Sequence, residues 1–165
     1  MFWETMNNGH GRQISQSFRD AFRGIALCMV RERNMRIHTV AALYVFVFSF
    51  YFEMSAVRYA VLFLTFGAVM AAEIFNTSIE KLSDVVSKEY DEGIRTVKDL
   101  AAGAVLICAV FAVGVGVALF WQPAAFQRIW RSFCERPWLF GVFAGVTLLA
   151  LLYIVLGPGF RRHKK

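Results

Sequence analysis

Long uncharged apolar runs dominate this chain and restrict its possible folds. Two of them, Leu100–Phe120 and Pro137–Phe160, contain no charged residue. Because about 20 apolar residues in a helix cross the hydrocarbon core of a bilayer, each run is long enough to span it. The chain is 58% hydrophobic over 165 residues, which leaves no room for a separate soluble catalytic domain. The sequence therefore predicts an all-α integral membrane bundle whose chemistry lies at helix ends and short loops.

Two further apolar runs complete a bundle of four predicted spans. Ile37–Phe52 is roughly 24 Å long as a helix, and it can cross the bilayer if it extends toward Arg36 and Val57. A tight connection at 53–58 then leads into Tyr59–Ala72, which continues into an acidic segment. Leu100–Phe120 is the third predicted span, and the run that begins at Pro137 adds a fourth.

An amphipathic surface helix is predicted before the first span. From Ile14 onward the apolar residues share one face and arginines lie opposite, a pattern typical of a helix in the headgroup layer. Glu32 falls on the apolar side, and periodicity leaves two interpretations open: an inward-facing functional carboxylate, or a solvated loop charge after a helix that ends by Val30. The predicted division of the chain is a flexible segment 1–13, a membrane domain 14–122, and a C-terminal part 123–165 with an interfacial connection, the last span and a basic tail.

The basic residues predict the orientation of the bundle. Of the eighteen Lys and Arg residues, fourteen lie before Ile37, in the turn Lys81–Lys98 or in the tail Arg161–Lys165. The positive-inside rule places these segments, and hence both termini, in the cytoplasm. The net charge of +6 is thereby explained by membrane topology, and we expect no nucleic-acid partner.

An acidic segment ends the second span. If the helix from Tyr59 continues, four polar residues fall within an arc of roughly 80°, with Ser83 beside them. These four are Glu73, Asn76, Glu80 and Asp84. Carboxylates at membrane depth are unfavourable, so they usually face a bundle interior and mark a functional site. The arc therefore predicts a carboxylate site that opens toward the cytoplasm.

The residue types of this site suit more than one chemistry. Carboxylates and an amide are the hard oxygen ligands that Mg²⁺ shares with phosphates, and Lys98 supplies a point charge for a polyphosphate. A deep carboxylate can accept a proton from a lipid hydroxyl, which would complete the requirements of phosphoryl transfer. No glycine-rich phosphate loop is present, however. Composition alone leaves an ion-coupled transporter equally open.

Three motifs resemble the prokaryotic diacylglycerol kinase and undecaprenol kinase family of small membrane lipid kinases. Glu73–Asp84, with the sequence EIFNTSIEKLSD, is similar to the family signature. Residues 17–25 leading to Glu32–His38 resemble the undecaprenol-type members, and Lys98–Leu106 resembles the family's third helix. The resemblance covers about residues 15–120.

This resemblance implies a homotrimeric, ATP-dependent kinase of a membrane lipid alcohol in the bacterial inner membrane, with three spans and a surface helix. It implies that Glu73 is the general base toward the lipid hydroxyl and that Glu80 and Glu32 hold Mg²⁺ on the nucleotide phosphates. Further site residues are implied by motif position, with Asn76, Lys98 and Asp99 at the nucleotide phosphates and Asp84, Arg36 and Ser83 in supporting positions. For Arg36, a simple i,i+4 pair with Glu32 is the alternative.

The resemblance leaves the lipid open. We prefer undecaprenol as substrate and keep diacylglycerol as the alternative, since lipid choice depends on an apolar groove rather than on the motif. An ion-coupled transporter and a non-catalytic membrane scaffold are the more distant hypotheses. Three features depart from the family pattern, namely Phe75 in place of an aliphatic residue, Asp91 where many members have His, and the fourth span.

Overall fold

A computed structural model describes residues 2–87, 89 and 91–157, with side chains from residue 14 onward. All the regular secondary structure in this part of the chain is helical, without a strand, which confirms the predicted fold class. The helices are α1 (Phe2–Arg31), α2 (Arg33–Ser49), α3 (Ala56–Val86), α4 (Glu92–Phe120), α5 (Pro123–Glu135) and α6 (Trp138–Leu156). The basic tail Arg161–Lys165 lies outside the described residues.

Helix α1 is longer than the amphipathic pattern predicts, because it begins at Phe2 rather than at Ile14. Two glycines in the added stretch each disfavour a helix by about 1 kcal/mol, but they do not break it as proline does. The helix ends at Arg31, and Glu32 follows with extended dihedral angles of φ −97° and ψ 121°. The helix therefore ends before Glu32, as the second interpretation of this residue requires.

Helices α3 and α4 form an antiparallel hairpin that is the most extensive helix pair of the bundle. The turn between them is shorter than the predicted Lys81–Lys98 segment, since α3 continues to Val86. Asp91 Oδ1 accepts a hydrogen bond of 2.9 Å from the backbone N–H of Ile94, and it thereby caps the start of α4. At the other end of α3, the Ser55 side chain accepts from the backbone N–H of Arg58 at 3.3 Å.

Helix α2 lies between α3 and α6 and runs antiparallel to both. Early in α2, His38 lies beside Glu73; late in α2, the ring centroid of Phe46 lies 5.7 Å from that of Phe63. Toward α6, Tyr44 Oη forms a hydrogen bond of 2.8 Å with Thr147. The full length of α2 is thus covered by its two neighbours.

Three helices of the described chain are long and apolar enough to cross a membrane, namely α3, α4 and α6. Helix α2 has 17 residues, about 25 Å at helical rise, so it lies at the lower end of the spanning range. Its position alongside two spanning helices supports the prediction that it crosses as well. The fourth predicted span, from Pro137, corresponds to α6.

The bundle has two ends of different character. The end with the α1–α2 junction, the α3–α4 turn and the last turn of α6 carries most of the charged residues, and we call it the acidic end. The opposite end holds residues 50–55, α5 and the start of α6, and we call it the aromatic end. Three exposed tryptophans lie there, Trp121, Trp130 and Trp138, as is typical of a membrane–water interface.

The interfacial connection that the sequence predicts contains helix α5. Pro123 occupies its first turn, where a missing N–H leaves no hydrogen bond unmade. The ring of Phe126 packs edge-on against Phe52 at a centroid distance of 5.5 Å, and Arg128 Nη2 donates to the carbonyl of Tyr51 at 3.1 Å. These contacts attach α5 to the connection between α2 and α3.

The interior is small and partly polar. The largest fully buried side chains are Met35, Leu62, Glu73 and Ser49, whereas α3, α4 and α6 expose many large apolar residues. Such an outer surface suits lipid rather than water. Around Gly67, Gly141 and Gly145, no neighbouring atom of the described chain lies within 4 Å of the Cβ positions. Bulky side chains such as Tyr44 and Phe143 make the α2–α6 contact instead.

Candidate functional site

Glu73 is the most deeply buried carboxylate at the acidic end, with a side chain only 2% exposed. It lies on the inner face of α3, and its Oε1 is 3.2 Å from Nε2 of His38 on α2. The two atoms lie within ion-pair distance, and Oε1 has no further hydrogen-bond partner among the described residues. The helical arc derived from the sequence therefore faces the bundle interior at this position, as expected of a carboxylate at membrane depth.

Asn76 and Glu80 continue this inner face toward the membrane boundary. Asn76 is buried, and its Nδ2 donates to Glu80 Oε1 at 3.0 Å. The amide oxygen of Asn76 meets no hydrogen-bond donor in the described part of the chain. Buried acceptors normally have a donor or a cation beside them, so Asn76 Oδ1 marks a position where such a partner is missing in the described chain. Ser83, another predicted site residue, is buried on the same helix.

Glu32 turns toward α3 although it lies between two helices. Its Oε1 is 3.8 Å from Lys81 Nζ, with 24% of its side chain exposed. Close by, the thiol of Cys28 on α1 lies 3.5 Å from the hydroxyl of Thr77 on α3. The junction of α1 and α2 therefore packs against the polar face of α3, and Glu32 is a half-buried ion pair rather than a solvated loop charge.

The environment of Cys28 is apolar and close to carboxylates. Burial raises the pKa of its thiol, the hydrogen bond with Thr77 lowers it by less, and the negative charges of Glu32 and Glu73 raise it further. A thiol with a raised pKa is less reactive at neutral pH. Cys28 is thus a packing residue, and like Cys108 and Cys134 it is a free thiol.

Arg36 does not form the i,i+4 pair with Glu32 that was the alternative to a supporting role, because the ion-pair partner of Glu32 is Lys81. Its guanidinium is buried and donates to backbone carbonyls of Val30 and Ile154. Those carbonyls belong to the last turns of α1 and α6, so Arg36 contacts helix ends rather than other predicted site residues.

A second, more exposed cluster lies at the α3–α4 turn. Lys98 Nζ forms a 2.7 Å ion pair with Asp84 Oδ1, and Asp99 Oδ2 lies 3.8 Å from Arg95 Nε. The side chain of Asp99 is 75% exposed. These four residues, together with Ser87, Glu89, Asp91 and Ile94, line an open charged cavity of about 510 Å³. Asp84 and Asp99 therefore lie in this outer cluster. Along the axis of α3, Asp84 is about 16 Å from Glu73.

An apolar groove of about 310 Å³ lies between α2, α3 and α4 at membrane depth. His38 lines it near the acidic end and Phe120 at the far end, with Leu62, Val69 and Gly116 between them. Its walls are almost wholly apolar. Because His38 contacts both the groove and Glu73, the buried carboxylate lies next to a passage that suits a hydrocarbon chain.

The site contains no preformed metal cluster: within the described ranges, no three His, Cys, Asp or Glu side chains converge on one point. The two predicted ligands have other contacts, since Glu80 accepts from Asn76 and Glu32 pairs with Lys81. Mg²⁺ often takes only one or two protein carboxylates and completes its shell with water and phosphate. The donor set is therefore compatible with Mg²⁺ held jointly with a phosphate, and not with an all-protein cage.

Sequence reasoning missed His38 and Lys81 as site residues. His38 carried a signal, because it is the polar side chain near the start of an otherwise apolar run. Lys81 carried none, since a lysine at a helix boundary is normally solvated. Only the packing of the α1–α2 junction against α3 shows its contact with Glu32.

The fold and these clusters define a small helical membrane protein with a buried carboxylate site that is continuous with charged residues at one end. Residues 19–120 match the family model described as prokaryotic diacylglycerol kinase. The chain belongs to this family. The model ends at the last residue of α4, so α5 and α6 lie outside it.

Individual relatives agree with this assignment. A diacylglycerol kinase of Synechocystis sp. is 40% identical over 108 residues, which cover 65% of this chain and 62% of the relative. The undecaprenol kinase of Bacillus subtilis is 34% identical over 64% of this chain and 85% of its own length. The diacylglycerol kinase of Escherichia coli K12 is 30% identical over 62% of this chain and 84% of its own. The family and these names indicate a lipid kinase.

Proposed function

We propose that this protein transfers the γ-phosphoryl group of ATP to the hydroxyl of a membrane lipid alcohol, preferentially undecaprenol. The observation that carries the proposal is Glu73, a carboxylate that is 2% exposed and lies beside His38 at the head of an apolar groove. A lipid whose chain occupies the groove would bring its hydroxyl to the acidic end, where charged residues face water.

Glu73 acts as the general base in this mechanism. It accepts the proton of the lipid hydroxyl while the hydroxyl oxygen forms a bond to the γ-phosphorus and the bond to the β–γ bridging oxygen breaks, so that ADP leaves. His38, 3.2 Å away, orients the carboxylate. Burial excludes water, which would otherwise compete with the lipid hydroxyl as phosphoryl acceptor.

The polar residues below Glu73 fit the nucleotide phosphates. Glu80 and Glu32 would hold Mg²⁺, which supplies charge neutralisation to the phosphates when bound. The unsatisfied oxygen of Asn76 supports a cation or donor at this level. Lys98 would contact phosphate oxygens after it exchanges its 2.7 Å pair with Asp84. Asp99, which lies 3.8 Å from Arg95, would order the turn beside the nucleotide phosphates. Asp84 and Ser83 would support these groups.

Two observations bear on the lipid. The segment Glu32–His38, which resembles the undecaprenol-type members, supplies both a proposed Mg²⁺ ligand and the histidine at the groove, and it favours undecaprenol. The 40% identity to a protein named diacylglycerol kinase favours the alternative, phosphatidic acid formation from diacylglycerol. We keep undecaprenol as the preferred substrate, since the segment contributes residues to the proposed site itself.

We further infer the bacterial inner membrane as location, with both termini and the acidic end in the cytoplasm where ATP is present. The basic residues of the acidic end support this orientation. A homotrimer is inferred from the family resemblance, and the exposed apolar faces of α3 and α4 are available for lipid or for neighbouring protomers.

The test supplies purified protein in mixed micelles with labelled ATP, Mg²⁺ and either undecaprenol or diacylglycerol. We expect labelled lipid phosphate from both, with the higher kcat/KM for undecaprenol. A higher kcat/KM for diacylglycerol would show that diacylglycerol, and not undecaprenol, is the preferred substrate. If neither lipid is labelled and the protein instead supports ion-dependent solute uptake in proteoliposomes, the transporter hypothesis is correct and the kinase proposal is wrong.

A further inference from the structure

Arg36 joins the ends of two helices from opposite parts of the chain. Its Nη1 donates to the carbonyl of Val30 at 2.9 Å. Its Nε and Nη2 donate to the carbonyl of Ile154 at 3.3 and 3.1 Å. Val30 lies in the last turn of α1 and Ile154 in the last turn of α6. One buried guanidinium therefore ties α6 to the junction between α1 and α2.

These two carbonyls are ones that a helix end leaves without an intrahelical donor. In α1 the backbone N–H of Glu32 already bonds to Cys28, and in α6 that of Gly157 bonds to Tyr153. A cation is favourable at a helix C-terminus because of the helix dipole, and here it serves two helices at once. The planar guanidinium can reach both carbonyls since its donors point in fixed, divergent directions.

Gly157 is fitted to this contact. It ends α6 with a positive φ of 41°, which favours glycine at this position. A Cβ atom built on Gly157 would lie 2.7 Å from Arg36 Cζ and 2.9 Å from both terminal nitrogens. Any side chain at residue 157 would therefore displace the guanidinium from Ile154.

We propose that Arg36 is a positioning residue and that α6 is a brace for the α1–α2 junction. Glu32 lies between Val30 and Arg36 in the sequence. The hydrogen bond from the Arg36 guanidinium to the Val30 carbonyl therefore closes a loop that contains the extended backbone of Glu32. Anchored also to α6, this closed junction holds Glu32 against α3, where Lys81 meets it. The added C-terminal helix, which the family model does not include, thus acts on the Glu32 side of the site. The kinetic part of this proposal rests on the proposed kinase function.

A structural test needs no enzymatic activity. In a background with Cys108→Ala and Cys134→Ala, the remaining Cys28 reports whether α1 stays packed against Thr77. We expect Gly157→Ala and Arg36→Met each to raise the rate of Cys28 alkylation by N-ethylmaleimide about tenfold, equivalent to ~1.4 kcal/mol. The matched control, Gly145→Ala on the same helix, places its methyl group in open space and should leave the rate unchanged. Equal alkylation rates of Cys28 in the wild type and both variants would refute the proposal that α6 stabilises the α1–α2 junction.

A kinetic test separates positioning from general stability. In full-length protein, Gly157→Ala should raise the KM for Mg-ATP severalfold while the KM for the lipid stays constant, because Glu32 and not the groove is displaced. Arg36→Lys should recover part of the loss seen in Arg36→Met. An exposed Cys28 with an unchanged KM for Mg-ATP would refute the effect on Glu32. If wild-type protein phosphorylates neither lipid, the proposed function fails, and the alkylation result still decides whether α6 braces the junction.

Discussion

Replacing Glu73 by Gln tests the proposed general base most directly. The two side chains have nearly the same volume, so the 2% exposed position can accept Gln without a cavity, and the amide can still contact His38. The variant loses the ability to accept a proton from the lipid hydroxyl. General-base catalysis contributes about 10²- to 10⁴-fold to a rate. We therefore expect kcat for lipid phosphorylation to fall by that factor, which corresponds to ~2.7 to 5.5 kcal/mol in the activation free energy.

The assay measures labelled lipid phosphate under saturating ATP and lipid, so that kcat rather than binding is compared. Glu53→Gln is the matched control, because this substitution makes the same chemical change at the aromatic end, where the Glu53 side chain is 85% exposed. Both variants should elute from size-exclusion chromatography as wild type does. If Glu73→Gln keeps kcat within about threefold of wild type, a loss too small for a general base, Glu73 is not the base.

Two further predictions concern metal ligation and membrane orientation. Glu80→Gln and Glu32→Gln should each abolish ATP-dependent lipid phosphorylation while leaving the protein folded; activity retained in both would refute their assignment to Mg²⁺. In membranes, a maleimide that cannot cross the bilayer should label Cys134, which is exposed on α5, in right-side-out vesicles but not in sealed inverted ones. The opposite pattern would reverse the inferred orientation.

The sequence determined the membrane class and the inner face of α3. Glu73, Asn76 and Ser83, which one helical arc brought together, are all buried, because side chains of a helix repeat every 3.6 residues whatever surrounds it. The same periodicity could not predict how deeply each residue of the arc is buried. Asp84 shares the arc but is 59% exposed and pairs with Lys98, although Ser83 beside it is buried.

The contacts between helices were decided by the tertiary structure. His38 beside Glu73 and Lys81 beside Glu32 depend on how far each helix is rotated and shifted against the next, which a local pattern does not contain. The contact of Arg36 with Ile154 joins residues 118 positions apart, and sequence spacing suggested a neighbour one turn away instead. Hydrophobic periodicity fixes which face of a helix is buried, whereas only packing determines which partner that face meets.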